Sequence, residues 1–118
     1  MGVSNYDKEA GVKRLETKYT VDSEESVERL LEDYYNIESA ALSRGDMAAI
    51  DLLVDIESAF AQAEMSEEQR LVIQLMYFDL VPAETIAREM GSSRSTVTRR
   101  RRAGLEAIRD IFIKWEYN

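Results

Sequence analysis

Residues 82–102 read PAETIAREMGSSRSTVTRRRR, a short helix, a tight turn and a second helix loaded with arginine. Pro82 suits the first turn of a helix, where its missing N–H removes a donor that has no partner anyway. Ala83, Ile86, Ala87 and Met90 recur at spacings of three and four and make one narrow apolar stripe. Gly91 follows where helices commonly end on a left-handed residue. Ser93 can cap a new helix by accepting from free backbone N–H groups. In that second helix Val97, Leu105, Ile108 and Phe112 lie close to one face, while Arg94, Ser95, Thr98, Arg99 and Arg102 point mostly elsewhere. Two short helices at a glycine corner, the second with guanidinium and hydroxyl groups near its start, suit insertion into a DNA major groove. The alternative is a corner of an all-α protein with a merely solvated arginine face.

Composition narrows the field. A chain of 118 residues is one domain, or a small domain with an appended helical module, and 45% hydrophobic residues is ordinary for a globular protein. Cysteine and histidine are both absent, which removes disulfides, thiolate nucleophiles, most transition-metal sites and imidazole acid–base chemistry. No metal or cofactor is expected. Neither a signal peptide nor an apolar run long enough to span a bilayer is visible, so the expectation is a soluble cytoplasmic protein with no membrane partner.

The net charge of −8 is unevenly spread. Met1 to Met65 holds 6 Lys and Arg against 15 Asp and Glu, whereas Ser66 to Asn118 holds 9 against 8. Arg88 to Arg109 alone carries seven arginines against Glu89 and Glu106. Phosphate binding depends on local rather than total charge. The acidic half either solubilises the protein or faces a protein partner. Glu64-Met65, where the balance changes, divides an acidic helical module (1–64) from a helix-turn-helix module (65–118).

Along the chain, Met1 to Asp22 is compatible with a short helix or an arm. Ser23 to Leu42 reads as a helix with Ser23 as cap, Glu24 and Glu25 in its first turn, and an apolar stripe of Val27, Leu30, Leu31, Tyr34, Ile37, Ala41 and Leu42. Ser43-Arg44-Gly45-Asp46 breaks it. From Met47 to Ala63, Ile50, Leu53, Ile56 and Phe60 repeat at three or four, so the two helices should form an antiparallel hairpin. Tyr34, Tyr35 and Phe60 read as core, not as a ligand box. Ser66-Glu67-Glu68-Gln69 fits a capping box opening a helix over Met65 to Asp79, with Leu71, Val72, Leu75, Met76 and Phe78 inward. The last helix runs on through Ile111, Phe112 and Trp115, to close the core or to meet a second copy. The fold class is all-α.

Arg94 and Arg99 are the best candidates for bidentate contact with guanine, and Ser95 or Thr98 for base edges or phosphate. Thr96 belongs to the same first turns of the helix. Arg88, Arg100, Arg101 and Arg102 suit phosphate contacts, which position without reading sequence. Four consecutive arginines cannot share a groove, because each helical step turns by about 100°. Arg100 or Arg101 must lie toward the protein, where an acidic residue of the N-terminal half can pair with it. Carboxylate pairs such as Glu67 and Glu68, or Asp51 and Asp55, are ordinary helix-surface groups, and no enzymatic activity is expected.

With these residues read, Ser66 to Ile113 resembles region 4 of bacterial sigma factors. The resemblance rests on Met65-Ser66-Glu67-Glu68-Gln69-Arg70-Leu71-Val72-Ile73-Gln74-Leu75, Thr85-Ile86-Ala87-Arg88-Glu89-Met90-Gly91, Ser93-Arg94-Ser95-Thr96-Val97-Thr98-Arg99 and Gly104-Leu105-Glu106-Ala107-Ile108. Thr85 stands where the family usually has glutamate, and Ser92 where it usually has an aliphatic residue. Nothing upstream looks like the region that binds the −10 promoter element. The layout looks more like phage and prophage transcription regulators of the ArpU type. That similarity implies double-stranded DNA as partner and RNA polymerase as a second one. One site-reading helix gives little affinity alone, so a homodimer or a polymerase-tethered monomer is expected. The alternatives are a polymerase- or sigma-binding modulator without DNA binding of its own, and a phage DNA-packaging accessory protein.

Overall fold

The computed structural model describes residues 21–115. Among the described residues the chain is all-α, with no strand. Its helices are α1 (Glu24–Glu32), α2 (Tyr34–Arg44), α3 (Met47–Gln62), α4 (Glu67–Ile73), α5 (Ala83–Glu89) and α6 (Arg94–Lys114), and α4 runs directly into a π-helical turn at Gln74–Phe78. The helix or arm considered for Met1 to Asp22 lies, up to residue 20, outside the described residues.

Ser23 opens α1 with a reciprocal cap. Its hydroxyl accepts from the Ser26 amide at 3.2 Å, and the Ser26 hydroxyl accepts from the Ser23 amide at 3.0 Å. The single helix expected from Ser23 to Leu42 is broken at Asp33, where φ is −87° and ψ is 3°. Packing accounts for the break. Val27, Leu30 and Leu31 of α1 are buried on the side facing α6, whereas Tyr34, Ile37 and Ala41 of α2 are buried against α3. One straight rod cannot offer both faces. Leu42, expected on the inner stripe, is 79% exposed, one step round the helix from buried Ala41.

Gly45 ends α2 at φ +60°, and the Asp46 carboxylate starts α3 by accepting from the Ala49 amide at 3.2 Å. So short a turn folds α3 back on α2 as an antiparallel hairpin. Ala49, Leu52, Ile56 and Ala59 line its inner face. Arg70 then joins the hairpin to α4. Its guanidinium donates to the carbonyls of Phe60 and, at 2.8 Å, Ala63, and it stacks 4.9 Å from the centre of the Phe60 ring. Those carbonyls lie at the C-terminal end of α3, where backbone acceptors lack helical partners and positive charge is favoured.

The Ser66–Gln69 capping box forms as expected, with bonds of 3.1 and 3.0 Å. The inner face of the following helix differs from the expected one. Leu71 is 44% exposed, and Ile73 and Tyr77 are buried in its place. The helix is wedged between two apolar clusters and buries a wide face. Val72 joins Ile86, Ala87 and Val97 in a small cluster inside the helix–turn–helix. Ile73 and Tyr77 join the main core with Leu30, Leu31, Ile56, Leu105, Ile108 and Phe112. The main core therefore draws on both sides of Glu64-Met65. Each such large side chain contributes about 1.5–3 kcal/mol when fully buried. The tail of α6 closes this intramolecular core, with Trp115 edge-on to Phe112 at 5.6 Å.

The junction is testable. Arg70→Ala should lower the free energy of unfolding by about 2 kcal/mol, through loss of charged hydrogen bonds to otherwise unpaired carbonyls. Urea titration measures this, and an unchanged midpoint would show that water serves those carbonyls equally well.

Candidate nucleic-acid interface

Pro82 stands one place before α5 and not inside it, at φ −63° and ψ 148°. Ile86 and Ala87 are buried, with Ala83 and Met90 packed beside them. Gly91 adopts φ +62°. Its amide donates to the Arg88 carbonyl at 3.2 Å and the Ser92 amide to the Ala87 carbonyl at 2.9 Å, the paired bonds of a Schellman ending. The departure from the aliphatic residue at position 92 has a local cost. The Ser92 hydroxyl is buried and finds no hydrogen-bond partner among the described residues.

Ser93 opens α6, its hydroxyl accepting from the Thr96 amide at 3.1 Å. A side-chain chain grows from this cap. Ser93 Oγ and Thr96 Oγ1 lie 3.0 Å apart, and Arg99 Nη2 donates to Thr96 Oγ1 at 3.1 Å. Thr96 thus anchors Arg99. Ser95, Thr98, Arg99 and Arg102 are exposed, on the side of α6 away from the buried stripe of Val97, Gly104, Leu105 and Ile108. Arg94 is also exposed and sits 3.6 Å from Glu84, a contact that solvent leaves weak. Arg88 is exposed on α5, with Nη2 3.5 Å from Thr85 Oγ1. Beside the exposed face, an open cleft of about 370 Å³ is lined by Gln69, Thr96, Arg99, Arg100 and Ala103.

Arg101 is placed differently from its neighbours. It follows Val97 by four residues and precedes Leu105 by four, so it rides the buried stripe. Its Nη1 meets Glu28 Oε2 of α1 at 2.7 Å, and the Tyr77 hydroxyl donates to the same oxygen at 2.6 Å. Three elements meet on one carboxylate. The 100° helical step required Arg100 or Arg101 to lie toward the protein, and the structure turns Arg101 inward, away from the phosphate contact expected of it. Nothing local pointed to Glu28, 73 residues away, or to Tyr77. Burial pushes the Tyr77 hydroxyl well above the ordinary tyrosine range, and the Glu28 carboxylate pushes it further. Burial pulls the Arg101 guanidinium down, but the Tyr77 and Glu28 oxygens outweigh that and hold it above its ordinary value. A second tyrosine behaves alike: Tyr34, buried in ring and donating to Glu57 at 2.8 Å, is raised by burial first and by that carboxylate second.

Gly104 fixes how closely α6 approaches α4. A Cβ there would lie 2.6 Å from Ile73 Cγ1 and 3.3 Å from Met65 Sδ. The helix that carries the arginines is thereby seated directly on the helix before the turn.

Residues 62–110 match the family model Sigma-70, region 4. No curated protein and no solved structure matches the chain. The matched stretch begins in the last residue of α3 and covers α4, the π-turn, α5 and most of α6, so it spans the small cluster and the exposed arginines. This part of the chain is similar to sigma-70 region 4, a family of DNA-binding helix–turn–helix units of transcription. No helix among the described residues is long and apolar enough to cross a membrane.

Two outcomes test the local chemistry. Ser92→Ala should raise stability by about 1 kcal/mol by removing an unpaired buried hydroxyl, read as a higher midpoint of thermal unfolding. The raised tyrosines favour the folded state fully below the unfolded tyrosine pKa of about 10, and that contribution is lost as pH rises above it toward the folded values. Stability should therefore fall steeply on the alkaline side, and less steeply in Tyr77→Phe. Ultraviolet difference titration alongside denaturation reports both.

Proposed function

We propose that the protein is a sequence-specific DNA-binding regulator of transcription, with residues 65–118 as the DNA-binding part and the acidic module, 1–64, turned toward a protein partner. The carrying observation is the exposed face of α6, where Ser95, Thr98, Arg99 and Arg102 stand opposite the buried stripe in a stretch that matches sigma-70 region 4. Arg94 and Arg99 are the proposed base readers, and Arg99 is pre-oriented by Thr96. Arg88 and Arg102 are the proposed phosphate contacts, flanking the readers with positive charge. Arg100 is a further proposed phosphate contact, and Arg101 serves binding from the inner rim. The acidic helical module before a region-4-like unit supports a cytoplasmic regulator of the phage or prophage kind.

A second reading has its own support. Leu42, Met47 and Val54 are exposed on the hairpin at 79%, 61% and 55%, among the carboxylates of the acidic half. Apolar side chains set in a charged surface favour a protein partner, such as RNA polymerase or a second copy of the chain.

DNA selection from a random pool at two salt concentrations separates the readings. An enriched motif is expected, palindromic for a dimer and single for a polymerase-tethered monomer. Arg99→Ala should then cost about 1–3 kcal/mol and relax one position, while Arg102→Ala should weaken all sequences alike and reduce the salt slope by about 1. Uniform binding with no enrichment, together with retention on RNA polymerase, would favour the second reading.

A further inference from the structure

We infer that Glu28 of the acidic module is a specificity-determining residue for DNA, acting through Arg101. Arg101 is then a positioning residue whose guanidinium fixes the rotation of α6 instead of neutralising a phosphate. This rests on the DNA-binding reading above and deepens it.

The geometry carries the inference. An α-helix held only by apolar contacts can roll on its neighbours by small angles at little cost, because such contacts are non-directional. A charged hydrogen bond of 2.7 Å to a carboxylate that is itself held at 2.6 Å by a buried tyrosine is directional and resists rolling. Glu28 lies on α1, Tyr77 on the π-turn and Arg101 two turns into α6, immediately behind Thr98, Arg99 and Arg102. A small rotation about the α6 axis carries the ends of those long side chains through a much larger arc. Base reading by bidentate hydrogen bonds tolerates little such movement, whereas phosphate attraction tolerates more. The Arg101 side chain is 21% exposed and that of Glu28 33%. The pair is therefore partly desolvated and holds better than a surface ion pair.

The test uses the full chain and the motif obtained by selection. Glu28→Gln should lower the ratio of cognate to scrambled-site affinity by roughly fivefold while leaving the salt slope on scrambled DNA unchanged. The exchange variant Glu28→Arg with Arg101→Glu should restore much of that ratio, because it rebuilds the pair while placing a carboxylate on α6. The opposite result is equally readable. Stronger binding of Glu28→Gln to every sequence, with a salt slope steeper by about 1, would make Arg101 a phosphate contact held back by Glu28 and would overturn the inference. An unaltered ratio would overturn it too. Circular dichroism must show each variant folded at the temperature used. Should Glu28→Gln fail there, Tyr77→Phe, which removes one of the two bonds to the carboxylate, is expected to lower the ratio by a smaller factor, and no change in it would again overturn the inference. A wild-type chain that enriches no motif removes the DNA-binding reading and the inference together. A wild type that enriches one while its variants keep full discrimination removes the inference alone.

Discussion

One helix has to belong to two cores, and most of the molecule follows from that demand. The first turns of α6 lay Val97 into the small cluster of the helix–turn–helix, and Leu105, Ile108 and Phe112 reach the main core shared with α1 and α3. A rigid 21-residue helix transmits any displacement at one end to the other. Among the described residues the small cluster has four buried side chains, Val72, Ile86, Ala87 and Val97, too few to hold a domain of its own. It is stable because α6 and α4 are held elsewhere, by the Gly104 approach and by the Arg70 clamp on α3. The hairpin thus supports the helix–turn–helix as a brace and does not hang from it as an appendage.

Much of this was legible in the residues. Serine caps with a partner three places on and glycines past helix ends are local signals, and each sits where its physics put it. What was not legible depends on distant surfaces. The break at Asp33 arises because α1 and α2 answer to different neighbours, and nothing in residues 23–42 states that. The π-turn at Gln74–Phe78 has no compositional mark, although the Asp79 amide bonding the Gln74 carbonyl at 2.9 Å defines it clearly. Leu42 and Leu71 continue apolar patterns but face water, since a stripe fixes a direction only to within a residue or so. Within the site, the outward set of α6 followed from periodicity. The Glu28 carboxylate behind it did not, because an ion pair across 73 residues of sequence leaves no local trace.

The polar groups inside the protein are mostly spoken for, and the pattern of their partners is informative. Tyr34 and Tyr77 each end on a carboxylate, so burial of the ring does not strand the hydroxyl. Tyr35, half exposed, donates instead to the Phe78 carbonyl and secures the π-turn to α2. Phe78 stacks edge-on with Tyr34 at 4.9 Å and tilts against Phe60 at 5.2 Å. One aromatic group thereby ties α2, α3 and the segment ahead of the turn. Among the described residues, Ser92 stands out against this background as a buried hydroxyl without a partner, at a position where an aliphatic side chain would fit the corner better.

The uneven distribution of charge has a consequence beyond any single contact. Among the described residues, Asp22 to Glu64 carries 12 carboxylates against Arg29 and Arg44 while the arginines gather from Arg88 onward, so this part of the molecule is polar in charge, with the outer face of α6 as its positive side. In the field of a polyanion such a body experiences a torque before it touches anything. The acidic end is repelled and the basic end drawn in, so encounters are sorted by orientation while still at a distance of about a Debye length. A net negative protein can in this way approach a negative polymer productively. Its overall charge suppresses lingering in wrong orientations, and the asymmetry of that charge selects the right one.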